Sequence, residues 1–273
     1  MQGTLHFISG LPRSGSTLLA ALLRQNPRVT AGMTSPVGHL FNAMLRETSM
    51  RHEDAVFLDD AVRARLLRAV FDAYYADTGP DSLIFDTNRM WTTKLHVLTR
   101  LFPQTKMIAC VRSPAWIVDS IETLIRANPY ELSGIFSFEP GGTVYTRAEG
   151  LTGGTGMVGF ALSALREAVY GAHADRLMLL RYDSLIADPL AALATVHDFI
   201  GEEMGEHDPQ NIEPSWDMIE FDRRLGTPGL HDVGSRVRPR GRRTILPPDI
   251  FARHDAGAFW ETAEELPEGL RVV

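Results

Sequence analysis

The sequence predicts an α/β fold: a parallel β-sheet flanked by helices. Short, continuously apolar runs of strand length alternate with longer segments of helical period. Several of those longer segments open on a capping side chain followed by proline. The chain has 273 residues, 44% of them hydrophobic, enough to bury one large core, so a single domain over 1–273 is expected.

The expected strands are Leu5 to Ser9, Leu83 to Asp86, Lys106 to Val111 and Leu177 to Arg181, each too short and too evenly apolar for an amphipathic helix. A fifth strand has no clear place. Helices are expected to begin at Ser35-Pro36, Ser113-Pro114 and Asp188-Pro189, where an N-cap oxygen precedes a proline whose missing N–H costs nothing. After Pro114, the residues Ile117, Ile121, Leu124 and Ile125 recur at helical spacing. Asp59 to Asp77 reads as another long helix, with Val62, Leu66, Leu67, Val70 and Phe71 facing inward.

Two stretches break the alternation. Pro129 to Gly156 holds seven glycines, too many for a packed helix, together with Tyr130, Phe136, Phe138 and Tyr145, and 129–156 is read as a glycine-rich lid. Gly201 to Ile245 ends in Arg236, Arg238, Arg240, Arg242 and Arg243.

Composition removes several classes of function. With 27 Lys and Arg against 34 Asp and Glu the formal charge is -7, so nucleic acid is not an expected partner and any anion site must be local. The one cysteine, Cys110, lies in an apolar run and reads as a small buried hydrophobe, so neither a disulfide framework nor a thiolate zinc site is available. No secretory signal or run of about eighteen apolar residues occurs, which makes the cytoplasm the expected location, without a membrane span.

The functional signal starts at Phe7-Ile8-Ser9-Gly10-Leu11-Pro12-Arg13-Ser14-Gly15-Ser16-Thr17-Leu18-Leu19. A glycine-bracketed turn from strand to helix aims backbone N–H groups at one point, and the helix end adds about half a positive charge, so a phosphate is a natural guest. The spacing from Gly10 to Gly15 matches a Walker A loop, but Ser16 stands where that motif needs lysine, and the cation comes earlier, at Arg13. A nucleoside triphosphatase needs that lysine and usually magnesium. Farther on, Cys110-Val111-Arg112-Ser113-Pro114 leads from a strand into a helix with Ser120 eight residues beyond Arg112, giving two donors able to converge outside the sheet.

The Pro-Arg-Ser-Gly-Ser-Thr string resembles the 5'-phosphosulfate loop of sulfotransferases that use 3'-phosphoadenylyl sulfate (PAPS), most closely that of tyrosylprotein sulfotransferases and related bacterial enzymes. The Arg112-to-Ser120 spacing is similar to that family's 3'-phosphate motif. Leu98 to Lys106 resembles the segment preceding that motif, and Arg181-Tyr182-Asp183-Ser184-Leu185 with Asp188-Pro189 resembles its Tyr-Glu-x-Leu…Asp-Pro block. The resemblance spans about 4–200. It implies a sulfotransferase-like fold, PAPS as sulfuryl donor without a metal, and release of adenosine 3',5'-bisphosphate (PAP). Arg13 would contact the 5'-phosphate and sulfate, with Ser14, Gly15, Ser16 and Thr17 completing the cradle. Arg112 and Ser120 would hold the 3'-phosphate, Tyr182 would lie near the nucleotide, and 230–245 would be a basic loop closing over it, with Arg236 the arginine best placed to touch phosphate.

The general base is where the resemblance departs. Cytosolic members use a histidine and tyrosylprotein enzymes a glutamate shortly after the first helix; aligned on Gly32, that glutamate falls within Met33-Thr34-Ser35 and is absent. His39 is the nearest titratable candidate, with His96, Asp86 and Glu139 as competitors and Arg89 as a group for sulfate or acceptor. The acceptor, a small molecule or a peptide bearing a hydroxyl or amine, is not identified, and a homodimer is left open. A P-loop kinase-like phosphotransferase and a non-catalytic nucleotide-binding module are the alternative readings.

Overall fold

Alternation along β1 (Thr4–Gly10) decides which layer each residue joins: Phe7 packs into one apolar cluster and Ile8 into the other. Ile84 and Phe85, Ala109 and Cys110, and Leu179 and Leu180 divide the same way, so the sheet is buried on both faces, as parallel strands require. The computed structural model describes residues 1–136, 142–213, 216–239, 241–262 and 266–273. Beside β1 it contains β2 (Val29–Ala31), β3 (Leu83–Thr87), β4 (Met107–Val111), β5 (Leu177–Arg181) and β6 (Arg271–Val272). The order is β2-β3-β1-β4-β5-β6, with every pair parallel.

All four expected strands form. The two additional ones, β2 and β6, are 3 and 2 residues long and lie at the edges, too short to leave an apolar run. Chain direction decides where a ligand can enter. β1 to β3 build one side, then β4 crosses to the other side of β1, opening a crevice outside the carboxyl ends of β1 and β4.

The helices are α1 (Ser16–Leu23), α2 (Val37–Glu47), α3 (Asp60–Tyr74), α4 (Leu95–Leu101), α5 (Pro114–Ala127) and α6 (Val144–Thr152). They continue with α7 (Met157–Val169), α8 (Tyr182–Ala187), α9 (Pro189–Ile200), α10 (Trp216–Arg224), α11 (Pro248–Asp255) and α12 (Phe259–Thr262). Apolar residues of α1 and α9 join the cluster of Ile8, whereas α2, α3, α5 and α7 pack on the face of Phe7. Asp188 caps α9 through the Ala191 N–H at 3.0 Å, and Asp59 caps α3 through Val62 at 2.7 Å. Inside α3 only Leu67 and Phe71 of the expected inward residues are fully buried. At α5 the expected Ser113 cap is replaced: Pro114 is the first helical residue, but the serine hydroxyl donates to Asp255 at 3.0 Å. At α2 the helix starts one residue late, and the Ser35 hydroxyl accepts the Val37 N–H at 3.1 Å.

The glycine-rich stretch needs correcting. Val144–Thr152 forms α6, opened by a capping box between Thr143 and Thr146, with Ala148 and Leu151 buried. Of the described glycines in 129–156 only Gly150 lies within that helix, and Gly156 lets the chain turn back so closely that a Cβ there would sit 2.1 Å from the Gly150 carbonyl. Phe138 lies outside the described residues. Cys110 is fully buried in β4, where burial pushes its thiol up to about 12. Among the described residues no helix is long and apolar enough to cross a membrane.

Candidate functional site

The turn after β1 is forced by contact with β4. Gly10 has φ +108°, and a Cβ on it would lie 2.2 Å from the Cys110 carbonyl, so only glycine fits both the backbone and the space. Leu11 N–H donates to that carbonyl at 2.9 Å. The buried Ser14 hydroxyl faces both the Leu11 carbonyl, at 2.5 Å, and the Cys110 carbonyl, at 2.8 Å. That hydroxyl pins the loop and is turned away from any ligand. Gly15, at φ +96°, is the N-cap of α1, whose first-turn N–H groups have no partner within the helix. Gly15, Ser16 and Thr17 line a cavity of about 920 Å³, at the upper end for small-molecule sites.

Arg13 takes the left-handed conformation, at φ +55°. Its Nε donates to Ser120 Oγ at 3.1 Å and its Nη1 to the Leu230 carbonyl, using two of the five N–H donors of a guanidinium. Burial lowers its pKa, against the upward pull of Tyr182 and the lesser ones of Asp222 and Asp232. At the end of β4, Arg112 donates to the Arg13 carbonyl at 3.3 Å and lies 4.2 Å over the Tyr182 ring. The same tyrosine abuts Gly15, where a Cβ would stand 3.1 Å from its ring. Burial pushes Arg112 down to about 10, so it stays cationic near neutrality, yet its Nε is buried without a hydrogen-bond partner. A desolvated donor left unpaired costs about 1–3 kcal/mol, and an anion beside it would recover that cost.

The arginine-rich loop is fastened at both ends. His231 is held by Asp222, and Asp119 of α5 accepts from Arg242 Nη2 at 3.1 Å, Thr244 Oγ1 at 2.8 Å and Ile245 N–H at 2.8 Å. Between these anchors Arg236 and Arg238 are exposed and line the cavity, as does Arg242, whereas Arg243 does not. Arg240 lies outside the described residues.

At the β3 end, Arg89 and His39 line the cavity on the side away from Arg112. Packing of α2 fixes that arrangement, since a Cβ at Gly38 would lie 2.4 Å from Asn88 Nδ2. Asp86 does not serve as a base. It is fully buried, outside the cavity lining, and accepts from Ser35 at 2.6 Å, Tyr75 at 2.7 Å and Trp91 at 2.8 Å. Those bonds fix the turn that carries Arg89. Burial raises the Asp86 pKa, and these donors oppose the rise. His96 is exposed on α4 and does not line the cavity, while Glu139 lies outside the described residues.

The structure therefore brings together Arg13, Gly15, Ser16, Thr17, Arg112, Ser120, Tyr182, Arg236 and His39 around one cavity. Residues 129–156, the expected lid, contribute no described residue to its lining; Gly134 N–H instead bonds the carbonyl of the lining residue Leu225 at 2.7 Å. Sequence reasoning missed Asp119 and Asp222. Each is an acidic residue within an amphipathic helix, with nothing in its spacing to connect it to a distant loop.

The chain matches the Sulfotransferase family over residues 6–206. It is 33% identical over 132 residues to nodulation protein NoeE of Sinorhizobium fredii, covering 43% of this chain and 30% of that protein. Over 125 residues it is 32% identical to protein-tyrosine sulfotransferase 2 of Gallus gallus, covering 44% of this chain and 34% of that protein. The matches thus span about a third of the length of these curated relatives. Among solved structures it superposes on a sulfotransferase domain from the curacin biosynthetic pathway with a TM-score of 0.52 and 16% identity, covering 99% of this chain and 94% of that one. Mouse sulfotransferase SULT7A1 complexed with PAP gives a TM-score of 0.52 at 14% identity, covering 97% of this chain and 85% of that one.

Proposed function

Because the chain belongs to the sulfotransferase family, we propose that it transfers a sulfuryl group from PAPS to a hydroxyl or amine of an acceptor and releases PAP. The observation that carries this reading is the buried, unpartnered Nε of Arg112, whose side chain lines the same cavity as the helix-end loop around Arg13. Anion-binding groups from two strand ends, after β1 and after β4, suit a nucleotide phosphorylated at both ends. When bound, PAPS supplies an activated sulfuryl group.

The N–H groups at the start of α1 would hold the 5'-phosphate, and Arg13 would offset the charge that develops on the bridging oxygen as the sulfuryl group leaves. Arg112 and Ser120 hold the 3'-phosphate, Tyr182 supports Arg112 from beneath, and Arg236 closes from the basic loop. Arg89 stands on the acceptor side, where Met33, Met157, Phe221 and Leu225 supply apolar surface for an acceptor with an apolar or aromatic portion. The segment 129–156 bears on the acceptor space through Leu225.

PAP release measured across a panel of phenols, alcohols, sugars, amines and tyrosine peptides tests the reading. Acceptor-dependent PAP formation is expected, and phosphate transfer from ATP without use of PAPS would overturn it. Arg13 and the helix end supply the charge stabilisation that a metal provides in other phosphate chemistry, so EDTA should leave the rate within about twofold. Reversible loss with EDTA, restored by magnesium, would refute that division of roles. Asp119→Ala should weaken PAP binding about three- to tenfold, because the basic loop loses the carboxylate that fastens Arg242, Thr244 and Ile245. Calorimetric titration reads this directly.

A further inference from the structure

We propose that His231 is the general base of the transfer, oriented by Asp222 of α10; the assignment rests on the sulfuryl-transfer reading above. A carboxylate only accepts hydrogen bonds. Asp222 Oδ2 takes the His231 main-chain N–H at 2.8 Å, and Oδ1 stands 2.5 Å from His231 Nδ1. The proton of the neutral ring must therefore sit on Nδ1, which leaves the lone pair on Nε2. An ordinary surface histidine has no such fixed tautomer.

Three further observations place the ring beside the chemistry. The Asp222 side chain is 4% exposed, whereas that of His231 is 22% exposed and lines the cavity. Phe221 meets the imidazole edge-on, at 76° with centroids 5.5 Å apart, which restricts the plane of the ring. The carbonyl of the preceding residue, Leu230, accepts from the Arg13 guanidinium, so base and leaving-group cation are tied together by one main-chain contact. His39, by contrast, is exposed on α2, and among the described residues it forms no bond to a carboxylate.

The base thus comes from a loop near the end of the chain, not from the segment after the first helix where the tyrosylprotein enzymes carry theirs. In the step itself a lone pair of the acceptor hydroxyl forms the new O–S bond. The S–O bond to phosphate breaks, its electron pair staying on the phosphate oxygen that Arg13 faces. His231 Nε2 takes the hydroxyl proton and later releases it to water. Asp222 of α10 contacts the ring, and the other charged groups lining the cavity are Asp232, Arg236, Arg238 and Arg242 from its own loop, Arg13 after β1, Arg89 after β3, Arg112 after β4 and Asp183 of α8.

The test compares His231→Ala, Asp222→Asn and His39→Ala in PAP release across pH, with PAP affinity and the ¹⁵N NMR spectrum of the imidazole measured alongside. The base acts when neutral, so the unmutated rate should fall as pH drops and the ring takes up a proton. His231→Ala should lower kcat roughly 10²- to 10⁴-fold, abolish that acid limb, leave PAP affinity nearly unchanged and respond to added imidazole. Asp222→Asn keeps the shape but can donate to Nδ1, so it should shift the proton to Nε2 and lower kcat while the loop stays in place. A clamp that merely holds the loop would cost PAP affinity without moving the acid limb. An unchanged rate and acid limb in His231→Ala would overturn the assignment. An acid limb lost in His39→Ala but kept in His231→Ala, or a proton on Nε2 in the unmutated protein, would overturn it too. If the unmutated protein releases no PAP with any acceptor while its proton sits on Nδ1, the transfer reading itself fails, and the base role falls with it.

Discussion

Arg13→Ala should lower kcat for PAP release by about 10²- to 10³-fold, the loss expected when one pre-organised donor is removed from developing charge. Arg13 is suited to that role because the loop and not the substrate positions it. The left-handed backbone at φ +55° directs the side chain across the cavity, and Ser120 and the Leu230 carbonyl hold the guanidinium there. Both kcat and kcat/KM should fall together, since the charge that Arg13 offsets appears only as the sulfuryl group departs. Folding should be spared, because the loop is pinned by the Ser14 hydroxyl and by Gly10 against Cys110, contacts that the substitution leaves intact. Arg13→Lys should fall between the two, since an ammonium keeps the charge but cannot bridge Ser120 and Leu230 with a planar fork. Steady-state kinetics of the three proteins decide the matter: a rise in KM at unchanged kcat would reduce Arg13 to a ground-state binding group.

What the sequence reveals follows from how local each signal is. The phosphate loop is legible because strand, glycines, cation and helix lie within a few residues of each other, although the contacts that require Gly10 and Gly15, with Cys110 and Tyr182, come from distant segments. Arg112 and Ser120 are legible for the same reason, being on one strand end and the helix it feeds. Contacts between distant segments are hidden. Nothing in the run around Asp119 indicates that it fastens residues 242–245, and the Asp222–His231 pair spans a turn of no fixed pattern. Asp86 misleads in the opposite direction: a carboxylate after a strand looks catalytic, yet Tyr75 and Ser35 converge on it and make it a buried anchor. Glycine content misleads over 129–156 because composition does not say where the glycines fall, and the stretch from Val144 to Glu149 contains none.

Arg112→Ala should erase most of a preference for PAP over adenosine 5'-monophosphate, since Arg112 is the proposed contact of the 3'-phosphate. The unmutated protein should bind PAP roughly ten- to a hundredfold more tightly, since a charge-assisted contact contributes about 1.5–3 kcal/mol. Arg112 can supply that contact because its Nε is already desolvated and unpartnered, and the Tyr182 ring 4.2 Å away holds the guanidinium flat. The monophosphate should be bound almost as well by the variant, because the proposed seat of the 5'-phosphate is the start of α1 and not β4. Ser120→Ala should reduce the preference less, a neutral hydroxyl donating one bond. Burial lowers the Arg112 pKa, but a guanidinium keeps its charge throughout the range in which the protein is folded, so the preference should not change between about pH 6 and 9. Calorimetric titration of both nucleotides against the three proteins measures each of these effects. Equal affinity for the two nucleotides in the unmutated protein would overturn the assignment of Arg112 and, with it, PAPS as the donor.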